Sequence, residues 1–344
     1  MRKKTVTFND IAKYTNFSKT TISRYFNDPE SLTLENQQII KDALTTLGYQ
    51  ENKVARILAS GNTEFVGVIM PDLYHHFYSE MLSHILETYD TYGYKFLVFV
   101  ESDDAQKQRR YLQELMAYKI EGLIVLSHTL PSEELAALDI PVVTIEREDA
   151  HVSSVNTDNY TGGYQAAKLL CDCGCDILIH VNSHTARQMP SYQRITGFSD
   201  YCREHSVPNE IMMRTLTASY DQNVQELSSI VDRLDLLPPE QKIGVFVCND
   251  THANTLLNLI YRRYGRFPER YNIIGFDNSP VSREGILPIS TIAQQIPCIV
   301  SEAMGILVEQ MTERKRRKPN LPEHPIHRIV PPVPIMRETT HHAH

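Results

Sequence analysis

No stretch of this 344-residue chain approaches the ~18 uninterrupted apolar residues that a membrane-spanning helix needs. No membrane association is expected. No secretory leader is expected either. Arg2-Lys3-Lys4 runs into polar, helix-capping sequence and not into an apolar run of about 7–15 residues. Cysteine is scarce, and six in a chain this long are no framework for a small stapled domain. The cluster Cys171-Asp-Cys-Gly-Cys175 lacks the paired C-x-x-C spacing, and the distant second pair, of a structural zinc site. The expectation is a reducing cytoplasm, no metal and no cofactor. No Ser/His/Asp set, phosphate loop or paired carboxylate stands out, which argues against an enzyme. No leucine heptad follows the last strand-like segment, so nothing supports a tetramer.

What is present is divided unevenly. The net charge is −8, yet nine Lys/Arg against six Asp/Glu put residues 1–60 at +3 and leave the remainder at −11. A basic head that meets phosphates and an acidic body that does not would show this asymmetry.

The first fifty residues read as three short helices. Thr7 is placed as an N-cap with Asp10 three residues on. Thr15-Asn16 breaks the first helix, because Asn tolerates the left-handed backbone of a tight turn. Ser18 caps a second helix through about Phe26, stopped by Asn27-Asp28-Pro29. Thr33 caps a third, whose Ile39, Ile40, Ala43, Leu44 and Leu47 form one stripe ended by Gly48. Residues 51–61 hold about two turns of helix, too few to be stable alone.

From Glu64 onward the pattern becomes strand–helix alternation. Apolar, β-branched runs recur at Phe65–Met70, Tyr94–Val100, Gly122–Leu126, Val142–Ile145, Ile177–Val181, Ile243–Cys248 and Ile273–Phe276. Helical stretches such as Phe77–Tyr92 and Asp104–Tyr118 separate them. This implies two doubly wound parallel sheets, with ligand binding at the carboxyl ends of their strands. A cleft between two lobes would gather both sets of ends around one ligand.

The stretch Val6-Thr-Phe-Asn-Asp-Ile-Ala-Lys-Tyr-Thr-Asn-Phe-Ser-Lys-Thr-Thr-Ile-Ser-Arg-Tyr-Phe-Asn27 resembles the opening of the LacI/GalR (lactose repressor) family of bacterial regulators. It departs at Thr15-Asn16-Phe17, where the family usually has Ala-Gly-Val; Asn16 must make the turn and Phe17 needs extra space. Asn52-Lys-Val-Ala-Arg-Ile-Leu58 resembles the family's hinge. The resemblance implies an α-helical helix-turn-helix head and an α/β, two-lobed, periplasmic-binding-protein-like body. The boundaries expected are 1–50 for the head, 51–61 for the hinge and 62–340 for the effector-binding and dimerisation body. One lobe would take about 62–160 and 292–325, the other about 161–290 and 326–340.

A recognition helix puts its first residues at base edges in the major groove. Lys19, Thr20 and Arg24 are the groove-facing candidates, with Arg24 suited to the O6 and N7 of guanine. Ser18, Thr21 and Ser23 suit phosphates, and Thr7 and Asn27 complete the head's candidates. In the hinge the candidates are Asn52, Ala55, Arg56 and Leu58. The resemblance gives Leu58 the part of an apolar wedge that unstacks a central step in the minor groove.

The body carries further matches to the family. Val155-Asn-Thr-Asp158-Asn-Tyr-Thr-Gly-Gly163 makes Asp158 a cleft residue, an N-cap, or both. Arg194, opening Arg-Ile-Thr-Gly-Phe198, is expected to hold a ligand oxygen with its planar fork. Asn249 can both donate and accept, Asp277 can accept from vicinal hydroxyls, and Gln294 belongs to a crossover between lobes. Tyr220 either stacks on the ligand's apolar face or packs in the core. Leu73-Tyr-His-His-Phe-Tyr78 is unusual: Tyr74, His75 and Phe77 either line the cleft or pack on a partner subunit. His75 or His76 there would suit an acidic sugar. Arg314-Lys-Arg-Arg-Lys318 looks like a nucleic-acid patch, but far from the head in sequence it reads as a solvated loop.

The expectation is a homodimeric repressor on a pseudo-palindromic double-stranded DNA operator, relieved by a small sugar or sugar derivative bound between the lobes. Regulation by a corepressor or a protein partner stays open, as does a sugar-binding protein without regulatory DNA binding.

Overall fold

The computed structural model describes residues 6–49, 57, 61–101, 104–147 and 150–341. The chain divides into two compact units, Met1–Asn62 and Thr63–His344.

The first unit is a three-helix head. Helix α1 (Phe8–Thr15) begins where the Asp10 carboxylate accepts from both the Thr7 N–H (2.9 Å) and the Thr7 hydroxyl (2.6 Å). It ends at Asn16, in the left-handed region at φ 58°. Ser18 Oγ caps α2 (Lys19–Asn27) by accepting from Thr21 N–H at 3.1 Å. Thr33 caps α3 (Leu34–Leu47), and Gly48 ends it at φ 60°. Ile11, Ile22, Ile40 and Ala43 are buried between them, and Phe8 stacks on Phe26 at 5.1 Å. Phe17 packs against this core, so the larger side chain finds its space there. Of the hinge, Gly61 N–H donates to the Ile57 carbonyl at 2.8 Å, the i to i−4 spacing of a helical turn. Asn52, Ala55, Arg56 and Leu58 lie outside the described residues, as does the Asn27 side chain.

The second unit holds two six-stranded sheets, each wrapped by helices. The first lobe runs β1 (Phe65–Met70), α4 (His76–Glu87), α5 (Tyr89–Tyr92), β2 (Lys95–Val100), α6 (Ala105–Ala117), β3 (Gly122–Val125), α7 (Ser132–Ala136), β4 (Val142–Ile145) and β5 (Ser153–Thr157). The chain then crosses into α8 (Asn159–Asp172), β6 (Ile177–Ser183), α9 (Tyr192–Glu204), β7 (Asn209–Arg214), α10 (Tyr220–Asp235), β8 (Ile243–Val247), α11 (Asp250–Tyr264), β9 (Tyr271–Asp277), α12 (Pro280–Glu284) and β10 (Ser290–Ala293). It returns for α13 (Ile296–Arg314) and β11 (His327–Val330), and crosses a third time to β12 (Val333–Ile335). The spatial orders are β11-β5-β4-β3-β1-β2 and β12-β10-β9-β8-β6-β7, parallel except for β12 against β10.

Each central strand is buried on both faces, which is why β1, β3, β4 and β8 are nearly continuous apolar runs. Val68, Ile124 and Val143 pack with Ile299, Met304 and Leu307 of α13 in the first lobe. Val245 and Ile273 pack with Leu227, Ile230 and Ile260 in the second. The sheet that the sequence showed least is its periphery. Strand β5 reads Ser-Ser-Val-Asn-Thr, β7 is polar, and β10 to β12 are three or four residues long. The third lobe crossing is also later than expected. Strand β11 pairs with β5 in the first sheet, so residues 327–330 belong to the first lobe. The single helix expected over Phe77–Tyr92 is interrupted at Thr88, whose hydroxyl donates to the Ile85 carbonyl at 2.6 Å.

Candidate functional site

Loops at the carboxyl ends of strands from both lobes line a cavity of about 440 Å³. Strand β1 leads to Asp72 and His75, β3 to His128, β4 to Glu146, β6 to Asn182 and Ser183, β8 to Asn249, β9 to Asp277 and β10 to Gln294. The topology alone places these side chains in one cleft.

Arg194 is the most constrained of them. It lies on α9, which approaches α8 so closely that a Cβ at Gly197 would stand 2.0 Å from the Tyr160 carbonyl oxygen. A Cβ at Gly163 would likewise meet the Arg194 carbonyl oxygen at 2.0 Å. The two glycines therefore let Asn159, at the start of α8, reach Arg194. The guanidinium donates Nε to Asn159 Oδ1 at 2.7 Å and Nη1 to the Cys248 carbonyl at 2.8 Å. Its carbon sits 3.6 Å from the centre of the Phe276 ring. Nη2 is left 3.9 Å from Glu146 Oε2. Glu146 is tied down in turn by Asn159 Nδ2 at 3.0 Å and by the Thr157 N–H.

Asp277 is presented by a strained turn. It has φ 108° and Asn278 has φ 59°, both in the region that disfavours side chains. Asp250 clamps that turn, accepting from Ser279 N–H at 2.8 Å, Ser279 Oγ at 3.2 Å and Thr291 Oγ1 at 2.7 Å. Gly275 leaves room for it, since a Cβ there would stand 2.2 Å from Asp250 Oδ1. Gln294 Nε2 donates to Asp277 Oδ1 at 2.7 Å, and Gln294 Oε1 accepts from Thr157 Oγ1. Burial pushes the Asp277 carboxyl up to about 8, against the pull of Arg194, and pushes Asp250 up to about 7.

Three of the cleft imidazoles, His75, His128 and His252, are neutral or already engaged. Burial holds His252 down at about 3 and His128 at about 4, the latter helped by the charge of Arg147. His252 Nδ1 is buried without a hydrogen-bond partner. His75 Nδ1 bonds Asp72 at 2.9 Å, and its ring meets His252 edge to face at 5.3 Å. Asp72 is raised by burial, but the hydrogen bond and charge of His75 outweigh this and bring it below the usual carboxylate value.

Six of the nine body candidates line the cleft: His75, Phe77, Arg194, Asn249, Asp277 and Gln294. Three do not. Asp158 is consumed as the α8 cap, accepting from Thr161 N–H at 2.9 Å and Thr161 Oγ1 at 2.7 Å, and lines a separate hollow beside His327 and Arg328. Tyr220 opens α10 with its side chain 46% exposed, in neither the cleft nor a core. Tyr74 turns its hydroxyl to Asn223 Nδ2 at 3.4 Å. His76 bonds Thr251 Oγ1 at 3.2 Å and is not among the cleft's lining residues, while His75, which lines it, is paired with Asp72. Sequence reasoning missed Glu146, His128, Asn182 and His252. Their one shared signal is position at or just beyond the end of a strand, or at the start of a helix.

On the head, Ser18, Lys19, Thr20 and Arg24 are exposed, and Thr21 and Ser23 are half-buried. Lys19, Thr20 and Arg24 fall within one turn and a half of α2; Thr20 and Arg24 share a face at i, i+4 spacing, and Lys19 lies about 100° around the helix from Thr20. Ser18 Oγ and Thr21 Oγ1 lie 2.8 Å apart and Ser18 caps the helix, so this pair shapes the helix start before it meets any phosphate. Thr7 is exposed at the start of α1.

Residues 163–340 match the family model for the periplasmic binding protein-like domain. The sucrose operon repressor of Pediococcus pentosaceus is 26% identical over 306 residues, covering 89% of this chain and 92% of that protein. The ribose operon repressor of Halalkalibacterium halodurans is 25% identical over 335 residues, 97% of each chain. The crystal structure of the lac repressor dimer bound to operator and an anti-inducer superposes with a TM-score of 0.79 at 20% identity, covering 98% of this chain and 100% of that one. The chain belongs to the LacI/GalR family of transcription regulators. These relatives are regulators and not enzymes, and the fold is lac repressor-like, with two parallel sheets of six strands. No helix among the described residues is long and apolar enough to cross a membrane.

The cysteine cluster takes no part. Cys173 and Cys175 are buried in the α8–α9 core, and burial pushes the Cys175 thiol up to about 12. Such thiols resist the ionisation that metal ligation needs.

Proposed function

We propose that this chain is a cytoplasmic, homodimeric repressor of a carbohydrate-utilisation operon, released from its DNA when an uncharged sugar fills the interlobe cleft. Lys19, Thr20 and Arg24 read base edges, while Leu58, Asn52, Ala55 and Arg56 act in the central minor groove. The sugar changes the angle between the lobes, and linkage requires that DNA change sugar affinity by the same factor.

The observation that carries the reading is the opposed pair at the cleft floor. Arg194 is fixed by Asn159, Cys248 and Phe276, and it faces a cleft into which Asp277 and Glu146 also project. A fixed donor fork and two acceptors suit vicinal hydroxyls. Charge argues for an uncharged ligand. Arg194 is the one lysine or arginine among the described residues lining the cleft, and Glu146 already stands beside it. His128 and His252 are held neutral and His75 is paired with Asp72, so besides Arg194 only the exposed His184 among the described lining residues is left to face a phosphate or a second carboxylate. The names of the sucrose and ribose operon repressors support the same ligand class.

A thermal-shift screen of the full chain against neutral, phosphorylated and acidic sugars tests this. A ligand at 100 times its Kd stabilises the fold by about 2.7 kcal/mol. A neutral sugar that shifts the wild type, and loosens its hold on a duplex selected by the protein, supports the reading. Stabilisation by phosphorylated sugars alone refutes the charge argument.

A further inference from the structure

The run Arg314–Lys318 reads from the sequence as a solvated loop, but the fold gives it a particular address. Helix α13 starts at the cleft beside Gln294 and runs back against the strands. Its far half reaches the amino end of β3, where a Cβ at Gly122 would meet Met311 Sδ at 2.7 Å. The run therefore emerges at the pole of the first lobe opposite the cleft. Lys315 Nζ donates to Glu121 Oε2 at 2.6 Å, and Glu121 Oε1 accepts from Glu64 N–H at 2.8 Å. Next to Glu64, the Thr63 hydroxyl donates to the Lys119 carbonyl at 2.6 Å. Thr63 is the first residue of the body. The basic run thus borders the point where the chain comes in from the head.

Its charges are not alike. Arg314 pairs with Asp139 at 3.0 Å, Lys315 with Glu121, and Arg316 with Glu313. The carbonyl end of α13 also favours cations at Arg314 and Lys315. Neither reason extends to Arg317 and Lys318. Both are exposed, and no carboxylate among the described residues pairs with them. Two uncompensated cations on a body with a net charge of −11 mark a local reversal of sign.

We propose that Arg317 and Lys318 bind backbone phosphates of the duplex flanking the operator, so that the body as well as the head touches DNA. This rests on the reading of the chain as a DNA-binding regulator. Four residues lie between Leu58 and Thr63, five Cα-to-Cα steps that limit that span to roughly 18 Å of extended chain. A hinge at the minor groove therefore keeps the body's entrance pole close to the duplex. Arginine's planar fork and lysine's point charge are both suited to phosphate. Phosphate contacts carry no base information, so these residues set affinity and salt response and leave sequence preference alone.

The test uses the full-length chain and a duplex selected by it from a randomised pool. Binding is measured between about 50 and 200 mM salt for wild type, for R317Q/K318Q, and for R262Q/R266Q, a charge-matched control on exposed residues of the other lobe. Four lost phosphate contacts per dimer are expected to flatten the salt slope by about 3 to 4, with weaker binding at low salt and unchanged sequence preference. The control keeps the wild-type slope. An R317Q/K318Q slope equal to wild type, or an equal loss in the control, overturns the proposal while the regulator reading stands. A wild type that selects no duplex takes both down.

Discussion

Asp277 and Gln294 are joined by a 2.7 Å hydrogen bond from the Gln294 carboxamide to Oδ1, and the same carboxamide accepts from Thr157 on the other lobe. Thr157 ends β5, Asp277 ends β9, and Gln294 follows β10 in the second crossover. One side chain thus ties the ligand-facing carboxyl of the second lobe to the first. A ligand that competes for Asp277 acts directly on the link between lobes. Gln294→Ala is expected to uncouple the two events: the sugar still stabilises the protein, but its effect on DNA affinity shrinks. Parallel measurement of sugar Kd and DNA Kd with and without sugar checks this. Unaltered coupling would remove Gln294 from the relay.

The raised carboxyl of Asp277 gives the cleft a pH response. Arg194, Asp250, Glu146 and Gln294 are the groups that face it, and burial is the largest influence. In the empty cleft burial pushes the group up to about 8. Hydroxyls donating to the carboxylate favour the ionised form, so the bound value is lower. Sugar affinity should therefore rise with pH, by at most about tenfold per unit, and level off above about pH 8. Stability of the empty protein runs the other way. A folded value above the unfolded one stabilises fully below pH ~4, and the contribution is lost as pH rises through about 8. Asp277→Asn should flatten both curves at that end. Titration calorimetry across pH 6 to 9 that shows flat affinity in the wild type would contradict the assignment.

The close approach of α8 and α9 is a packing condition for Arg194. Gly197→Ala places a methyl on the Tyr160 carbonyl. Such overpacking is expected to cost about 1–3 kcal/mol or more of stability, because backbone has to move. Sugar binding should weaken even where the variant folds, since Asn159 then no longer meets Arg194 Nε. Asn159→Ala isolates that second effect, with sugar affinity falling more than melting temperature. An Asn159→Ala protein with wild-type affinity would show that Arg194 holds itself in place.

Much of this was legible before any coordinates, and the failures have a common cause. The central strands and the head helices announce themselves because burial on both faces, or capping with a stripe, leaves a local pattern. Arg194, Asn249 and Asp277 could be named because short motifs surround them. Glu146 and His252 could not, since Glu146 owes its place to a left-handed turn after β4, and His252 to the first turn of α11. Both are set by topology and not by neighbours in sequence. Asp158 looked like a ligand residue, but a carboxylate whose two oxygens already serve Thr161 has little left to offer. The basic run is exposed, as a solvated loop would be; what the sequence did not show is that α13 returns it to the first lobe.

The head offers the sharpest test of DNA reading. Arg24 is exposed on the side of α2 away from buried Ile22, Lys19 is exposed in its first turn, and Arg24 has the geometry to take both acceptors of a guanine. Arg24→Ala should weaken specific binding by roughly 1–3 kcal/mol and relax one base position in each half-site. Lys19→Ala, if Lys19 holds phosphate, should weaken all duplexes alike and lower the salt slope by about 1 per contact. Selection from a randomised pool separates the two, because one variant changes the recovered sequence and the other only its yield. Identical recovered sequences for wild type and Arg24→Ala would mean that Arg24 positions the helix and another residue reads the base.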